Sequence, residues 1–268
     1  MTSTPGGPGF EDLGYARIDT DRAPRTGDPE VVYGGGKTPE QVVDLLSRLS
    51  AHHPDRAVLA TRLDAPALAA VAAALPEAEV DEVARAVTLG PLPRGVGRVV
   101  VVSAGTSDAP VAREAALSAR VHGAGVEEIR DVGVAGLHRL LAVRDRLDAA
   151  DCLVVVAGME GALPSVVGGL TGVPLVAVPT SVGYGASLEG VTALLAMLSS
   201  CAAGVGVVNI DNGFGAGVFA ARVARNARPA PEGRRPRRHR QRRDVRRSGG
   251  PRGGAQRPRA RCRRRGDP

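Results

Sequence analysis

Residues 152–179 have the sequence CLVVVAGMEGALPSVVGGLTGVPLVAVP, and this stretch decides the fold. The apolar runs 152–157 and 174–179 are short and rich in valine, which predicts two buried strands. The glycines and the proline between them predict a loop, followed by a short helix at 165–169. Two apolar strands joined by a helix form a βαβ unit, in which the strands run parallel.

The same alternation of strand and helix continues on both sides of this unit. Further strands are predicted at 98–103, 126–131 and 205–210, and further helices at 109–124, 137–147 and 187–203. This alternation predicts a doubly wound parallel sheet in a three-layer α/β/α arrangement. Aromatic residues make up only 2% of the chain, so its core must consist mainly of Val, Leu and Ala. In such sheets, ligands bind at the carboxyl ends of the strands.

A smaller α/β domain is predicted before this sheet, at residues 15–95. Its predicted strands are 31–33, 57–61 and 80–88, the last either continuous or interrupted, and its predicted helices are 40–50 and 65–75. The stretch LGPLPRGVG at 89–97 opposes regular structure and predicts a domain boundary, so the catalytic domain is expected at 97–225. Residues 1–14 are rich in Gly and Pro and are expected to be disordered.

The net charge of +7 would suggest nucleic acid as a partner, but the charge is unevenly distributed. From residue 228 onwards the chain has 17 Arg and three acidic residues, and the rest of the chain is net acidic. The segment 226–268 is therefore predicted to be a disordered tail. It is either a basic arm that binds nucleic acid or an extension without a role in catalysis. The lack of aromatic residues for base stacking favours the extension.

Neither a membrane span nor a secretory signal is evident, since the chain has no run of 18 apolar residues and no charged start followed by an apolar segment. A cytoplasmic protein without membrane contact is expected. The three cysteines are irregularly spaced, which argues against a disulfide framework and a Cys-x-x-Cys metal site.

Polar and glycine-rich segments follow four of the predicted strands. The loop after the first strand can bind phosphate through its hydroxyls and the amides of the next helix, although a simple capping turn has the same pattern. The later loops carry one carboxylate between two glycines, an anion nest, and an Asp-Asn pair that either contacts ribose or a divalent ion or forms a turn. The candidate residues are Ser103, Gly105, Thr106, Ser107, Asp108, Gly158, Met159, Glu160, Ser181, Gly183, Asp211 and Asn212.

Three motifs together resemble the aminoimidazole ribonucleotide (AIR) carboxylase, or PurE-like, superfamily. They are Ser103-Ala-Gly-Thr-Ser-Asp108, Gly158-Met-Glu-Gly-Ala-Leu-Pro164 and Val173-Pro-Leu-Val-Ala-Val-Pro179. Within it, Ser200-Cys201-Ala202 and Asn209-Ile-Asp-Asn-Gly-Phe-Gly-Ala-Gly217 look like the LarB family of nickel-pincer cofactor biosynthesis. The chain has Ala162 where a purine carboxylase is expected to carry a His before Leu-Pro, which counts against purine chemistry.

The resemblance implies that nicotinic acid adenine dinucleotide is carboxylated on its pyridinium ring by CO2 or bicarbonate and cleaved at its phosphoanhydride. It implies Cys201 as nucleophile, and Glu160 is the first choice for the base, with Asp108 second. His138 and Arg139 match the region of a phosphate-binding turn, or they are solvated surface residues. No cofactor is certain, although a divalent metal such as Mg²⁺ could act at the phosphoanhydride.

The resemblance also implies a homo-oligomer, an octamer in PurE-like proteins. Two other functions stay open on the sequence alone. One is an AIR carboxylase of purine biosynthesis, and the other is a nucleic-acid-binding protein that uses the basic tail.

Overall fold

The computed structural model describes residues 9–227. Residues 1–8 and the tail from residue 228 onwards lie outside this range, so their predicted disorder stays a prediction. Glu11–Asp12 pairs with Arg17–Ile18, so a short strand lies inside the segment 1–14 that was expected to be disordered. Within residues 9–227, no helix is long and apolar enough to cross a membrane.

A small α/β arrangement forms the N-terminal part of the described chain, as predicted. Its elements are β1 (Glu11–Asp12), β2 (Arg17–Ile18), α1 (Arg22–Thr26), β3 (Val31–Tyr33), α2 (Pro39–His52), β4 (Val58–Thr61), α3 (Ala65–Ala74), β5 (Glu79–Asp81) and β6 (Ala86–Leu89). Four of its strands form a sheet in the order β3-β4-β6-β5. The predicted strand 80–88 is two antiparallel strands, because the chain turns before Arg85, which has a left-handed φ of 51°.

Helix α2 begins where the sequence predicts. The Thr38 hydroxyl accepts a hydrogen bond from the Gln41 amide at 3.3 Å, and the Gln41 side chain accepts one from the Thr38 amide at 3.0 Å. This reciprocal cap satisfies two amides that the first turn of a helix leaves without partners.

The rest of the described chain forms the predicted doubly wound parallel sheet with its helices. The elements are β7 (Arg98–Ser103), α4 (Ala109–Val121), β8 (Gly125–Ile129), α5 (Leu137–Leu141), α6 (Arg144–Asp148), β9 (Cys152–Ala157), α7 (Leu163–Leu170), β10 (Leu175–Pro179), α8 (Val191–Leu198), β11 (Val205–Val207) and α9 (Gly213–Ala227). The five strands are all parallel and lie in the order β11-β10-β9-β7-β8.

Each face of this sheet is covered by its own set of helices. Val99 and Val101 of β7 pack in a core with alanines of α4 and α9. Val100 and Val102 pack in a second core on the opposite face, with apolar residues of α5, α6, α7 and α8. Because side chains alternate along a strand, a continuous valine run supplies both cores and both layers of helices.

Several predicted elements have different bounds in the structure. The helix predicted at 187–203 is shorter, since a 3₁₀ segment at Gly185–Gly190 with left-handed residues Leu188 and Glu189 precedes α8. The helix predicted at 137–147 is split into α5 and α6, and α7 is longer than the predicted 165–169. The strand predicted at 205–210 ends at Val207, because the chain turns towards Asp211.

Helix α9 was not predicted, because its first turns contain three glycines. Two of these glycines, Gly213 and Gly217, let α9 approach α4 closely. A Cβ atom on Gly217 would lie 2.4 Å from the Ala115 carbonyl oxygen, and one on Gly213 would lie 2.3 Å from the Val111 carbonyl oxygen. The glycine pattern that looks like a loop in the sequence is therefore a helix-packing surface.

Helix α9 also holds the N-terminal part of the chain through a buried carboxylate. The Asp28 side chain is 3% exposed and pairs with Arg222 at 2.6 Å and with Arg225 at 2.7 Å. Burial alone would raise the pKa of Asp28, but the hydrogen bonds from these guanidinium groups outweigh it and hold the pKa below its usual value. This ion pair ties the chain before β3 to the last helix.

We predict that Gly217→Ala lowers the free energy of unfolding by about 1–3 kcal/mol, because the added methyl group forces α9 away from α4. Gly169→Ala is the matched control, since a Cβ atom there meets no atom within 4 Å. The control should be neutral or stabilise α7 by up to about 1 kcal/mol. Urea unfolding of both variants is the measurement, and equal stability of the two would contradict the proposed packing.

Candidate functional site

A cavity lies where the order of the larger sheet reverses, between the ends of β7 and β9. The chain runs outward from β7 to β8 in one direction and to β9 in the other, so the loops that follow β7 and β9 separate and leave a crevice. The cavity has a volume of about 300 Å³. We call it the switch-point cavity. Among its lining residues are Gly105, Ser107, Asp108, Arg139, Gly158, Met159, Glu160 and Ala162.

Asp108 joins three of the loops around this cavity. Its buried carboxylate accepts hydrogen bonds from the Gly105 amide at 2.9 Å and from the Thr180 hydroxyl at 2.7 Å. The Gly158 amide also donates to it. These donors belong to the loops after β7, β10 and β9. The Asp108 side chain makes no capping hydrogen bond to α4, but its bond to the Gly105 amide caps the 3₁₀ turn Thr106–Asp108 that leads into α4.

Burial raises the pKa of Asp108 above its usual value, although its three hydrogen-bond donors oppose this effect. The nearby Asp211 carboxylate raises it further. Since the donors occupy much of its acceptor capacity, Asp108 is better suited to positioning the loops than to taking a proton from a substrate.

The surroundings of Glu160 are opposite to those of the buried, hydrogen-bonded Asp108. Glu160 is exposed at the edge of the switch-point cavity, and among residues 9–227 it has no hydrogen-bond or ion-pair partner. The preceding residue, Met159, has a left-handed φ of 53°, and its amide donates to the Val182 carbonyl at 2.8 Å. A Cβ atom on Gly158 would lie 2.3 Å from the same carbonyl oxygen, so only glycine fits there. This backbone presents a free carboxylate at the cavity.

The loop after β11 is joined to the loop after β10. The Asp211 carboxylate accepts a hydrogen bond from the Ser181 amide at 2.8 Å. The Asn212 side chain accepts one from the Gly215 amide at 2.8 Å, so Asn212 caps the first turn of α9. A Cβ atom on Gly183 would lie 2.4 Å from the Ser187 hydroxyl, so Gly183 permits close packing within its own loop.

Of the other predicted site residues, some line the switch-point cavity and others do not. Ser107 and Arg139 line the cavity, and Arg139 also pairs with Asp131 at 2.6 Å. Ser103 is buried at the end of β7, whereas Thr106 and His138 are exposed and do not line the cavity.

Cys201 is exposed but does not line the switch-point cavity. Its neighbours place it beside the middle of α7, since the Ser165 hydroxyl donates to the Ser200 hydroxyl at 2.8 Å. A Cβ atom on Gly168 would lie 3.1 Å from the Ala202 Cβ atom. Cys152 is fully buried in β9, as its apolar surroundings in the sequence suggest, and burial raises its pKa to about 12.

Arg62 and Arg85 were not predicted as site residues. They line a second cavity, of about 200 Å³, together with Ser107, Ser181 and Asp211. We call it the arginine cavity. The Arg62 guanidinium pairs with the buried Glu114 at 3.0 Å and donates to the Asp211 carbonyl. Arg62 directly follows a predicted strand, a position from which a site residue could have been predicted. Arg85 could not be predicted in this way, because it lies inside a stretch predicted to be strand.

The histidines and carboxylates of the described chain do not form a metal centre. Within residues 9–227 there is no group of three or more His, Cys, Asp or Glu side chains that could hold a metal ion. His122 is buried, with its Nδ1 atom 2.7 Å from the Ser118 carbonyl oxygen. Burial lowers the pKa of His122.

Comparison with known proteins yields two family matches and one curated relative. Residues 10–91 match the LarB/PurE-like N-terminal domain, and residues 98–243 match AIR carboxylase. An uncharacterized protein of Methanocaldococcus jannaschii is 38% identical over 219 residues, which cover 78% of this chain and 84% of that protein.

We predict that Asp108→Asn lowers the free energy of unfolding by about 1–3 kcal/mol, because an amide cannot accept hydrogen bonds from all three loops. Asp148→Asn is the control, since among residues 9–227 Asp148 pairs only with Arg144, on the surface of α6. The control should change stability by less than about 0.5 kcal/mol. Hydrogen exchange of the Gly105 and Gly158 amides should accelerate in the Asp108 variant alone. Unchanged protection of both amides would contradict the role given to Asp108.

Proposed function

The chain belongs to the family that joins a LarB/PurE-like N-terminal domain to an AIR carboxylase domain, and from this membership we propose that it carboxylates and hydrolyses nicotinic acid adenine dinucleotide. The superfamily is one of carboxylase- and mutase-type enzymes. The proposed reaction consumes the dinucleotide, CO2 and water. Its products are pyridinium-3,5-biscarboxylate mononucleotide and AMP, in nickel-pincer cofactor biosynthesis.

The observation that carries the choice of substrate is the match to the LarB/PurE-like N-terminal domain, which adds to the match with AIR carboxylase. Ala162 supports the same choice. It lines the switch-point cavity at the position where a purine carboxylase is expected to have a histidine.

The chemistry requires a nucleophile because a pyridinium carbon is electron-poor and does not attack CO2. A thiolate that adds to C4 of the ring makes C5 the nucleophilic carbon of an enamine. C5 then forms a bond to CO2, a base removes the C5 proton, and expulsion of the thiolate restores the aromatic ring. Cys201 is the proposed nucleophile, and its thiol is exposed.

Glu160 is the proposed base for the C5 proton. Its exposed carboxylate lies at the edge of the cavity and has no partner among residues 9–227, so its oxygen atoms are available to a proton of a bound ring. Asp108 was the second candidate, but its hydrogen bonds to three loops favour a positioning role. A divalent ion such as Mg²⁺ would act as a Lewis acid at the phosphoanhydride in the hydrolytic step, and it would be held by the substrate's phosphate oxygens, since residues 9–227 contain no cluster of protein ligands for it.

An oligomer would bring Cys201 to the cavity of a second copy of the chain. Cys201 follows α8, whose surface carries the exposed side chains of Leu195 and Leu198, and Leu188 is exposed just before this helix. An exposed apolar face of this kind is typical of a subunit interface. We therefore propose a homo-oligomer, an octamer by family resemblance, in which this face is covered by another subunit. Each active site would combine Glu160 of one subunit with Cys201 of another.

AIR carboxylase activity is the second candidate, because residues 98–243 match that family directly. The two functions differ in substrate, and one assay separates them. The protein is incubated with ¹³C-bicarbonate and either nicotinic acid adenine dinucleotide or aminoimidazole ribonucleotide, with Mg²⁺ or with EDTA.

We predict that mass spectrometry detects a ¹³C-labelled dicarboxylated mononucleotide and AMP with the dinucleotide only. Loss of AMP formation in EDTA would support a metal at the phosphoanhydride. Label in the aminoimidazole product, with none in the pyridinium product, would overturn the proposal in favour of the purine reaction.

We also predict that Glu160→Gln and Cys201→Ser are each inactive and that a mixture of the two, unfolded and refolded together, recovers activity. A shared site restores about a quarter of wild-type activity, since random pairing combines an intact Cys201 with an intact Glu160 at that frequency. Ser199→Ala, on an exposed neighbour of Cys201, is the control and should stay active. Inactivity of the refolded mixture, under conditions in which refolded wild type is active, would contradict a site shared between subunits.

A further inference from the structure

The arginine cavity adjoins the switch-point cavity but is built differently. Ser107 and Val182 line both cavities, so the two spaces meet at these residues. The far wall of the arginine cavity comes from the N-terminal part of the chain, through Arg62 and Arg85. The N-terminal part therefore contributes directly to a space that continues the candidate active site.

Both arginines are held on unusual backbone. Arg62 has a φ of 60° and Arg85 a φ of 51°, values that residues other than glycine rarely adopt. The strands beside them are fixed to each other, because the Leu63 amide donates to the Arg85 carbonyl at 2.9 Å and the Arg85 Nε atom donates to the Leu63 carbonyl at 2.9 Å. Strained backbone that is held in this way occurs preferentially at ligand-binding sites.

The charges around the cavity differ in whether they are already paired. Arg62 is balanced by the buried Glu114, which also accepts a hydrogen bond from the Phe214 amide at 3.1 Å. The Asp211 carboxylate is engaged by the Ser181 amide. Arg85 is exposed, and among residues 9–227 it has no carboxylate within ion-pair distance. Arg85 is thus the cation at this cavity that can take an anionic ligand.

We propose that the arginine cavity binds a phosphate group of a nucleotide, with Arg85 as its main charged ligand and the Ser107 hydroxyl as a further hydrogen-bond donor. A planar guanidinium matches phosphate oxygens through paired hydrogen bonds. The assignment of this phosphate to the adenylate half of the dinucleotide rests on the proposed function. The pyridinium half then occupies the switch-point cavity, and the N-terminal part of the chain recognises the half that leaves as AMP.

The test is the binding of AMP and of adenosine to the full-length protein, measured by isothermal titration calorimetry without turnover. Arg85→Ala should weaken AMP binding about tenfold through the loss of charge-assisted hydrogen bonds, and it should leave adenosine binding unchanged. Arg94→Ala is the matched control, since Arg94 is another exposed arginine of the N-terminal half that does not line the cavity. Arg85→Lys retains the charge and should bind AMP with intermediate affinity.

The proposal is overturned if wild type does not bind AMP, if Arg85→Ala binds AMP as wild type does, or if Arg94→Ala weakens binding equally. Thermal unfolding of each variant shows whether a loss of AMP binding results from misfolding. If Arg85→Ala is misfolded, the affinity of Arg85→Lys for AMP decides the outcome. Arg85-dependent binding of AMP without any dicarboxylated product would uphold the phosphate site and refute the proposed reaction, so the two failures can be distinguished.

Discussion

The candidate site depends on one buried carboxylate. Asp108 accepts hydrogen bonds from the loops that follow β7, β9 and β10, through the Gly105 amide, the Gly158 amide and the Thr180 hydroxyl. Burial of a carboxylate is costly unless its oxygen atoms are paired, so none of these loops can move away without leaving a buried acceptor unsatisfied. These hydrogen bonds hold the floor of the cavity in place, whereas Glu160 at its edge has no partner among residues 9–227.

A second set of contacts connects this floor to the N-terminal part of the chain. Arg62 reaches from the end of β4 to Glu114 on α4 and to the Asp211 carbonyl, while Asp211 itself holds the Ser181 amide. A guanidinium can make these contacts together because it has several donors in one plane. The N-terminal part is thus coupled to the same loops that carry the proposed chemistry, which explains why it accompanies the catalytic sheet.

The sequence predicted the sheet well and the contacts of the site poorly, for physical reasons. Strands β7 and β9 have the predicted bounds, because an uninterrupted apolar run has few other stable environments. Helix α9 was missed because Gly213 and Gly217 serve close packing on α4, a reason that no local propensity reveals. Thr180, a partner of Asp108, lies 72 residues from it in the sequence, and Arg62 lies 52 residues from Glu114. No local sequence pattern could therefore predict either contact.

In the proposed reaction, the pyridinium ring binds over the loops held by Asp108. A crystal structure of the Cys201→Ser variant with nicotinic acid adenine dinucleotide tests this claim most directly, because the variant should bind the substrate without turning it over. We predict density for the ring in the switch-point cavity, with C5 facing the Glu160 carboxylate. Nucleotide density at another part of the protein, or a ring with C5 directed away from Glu160, would contradict it.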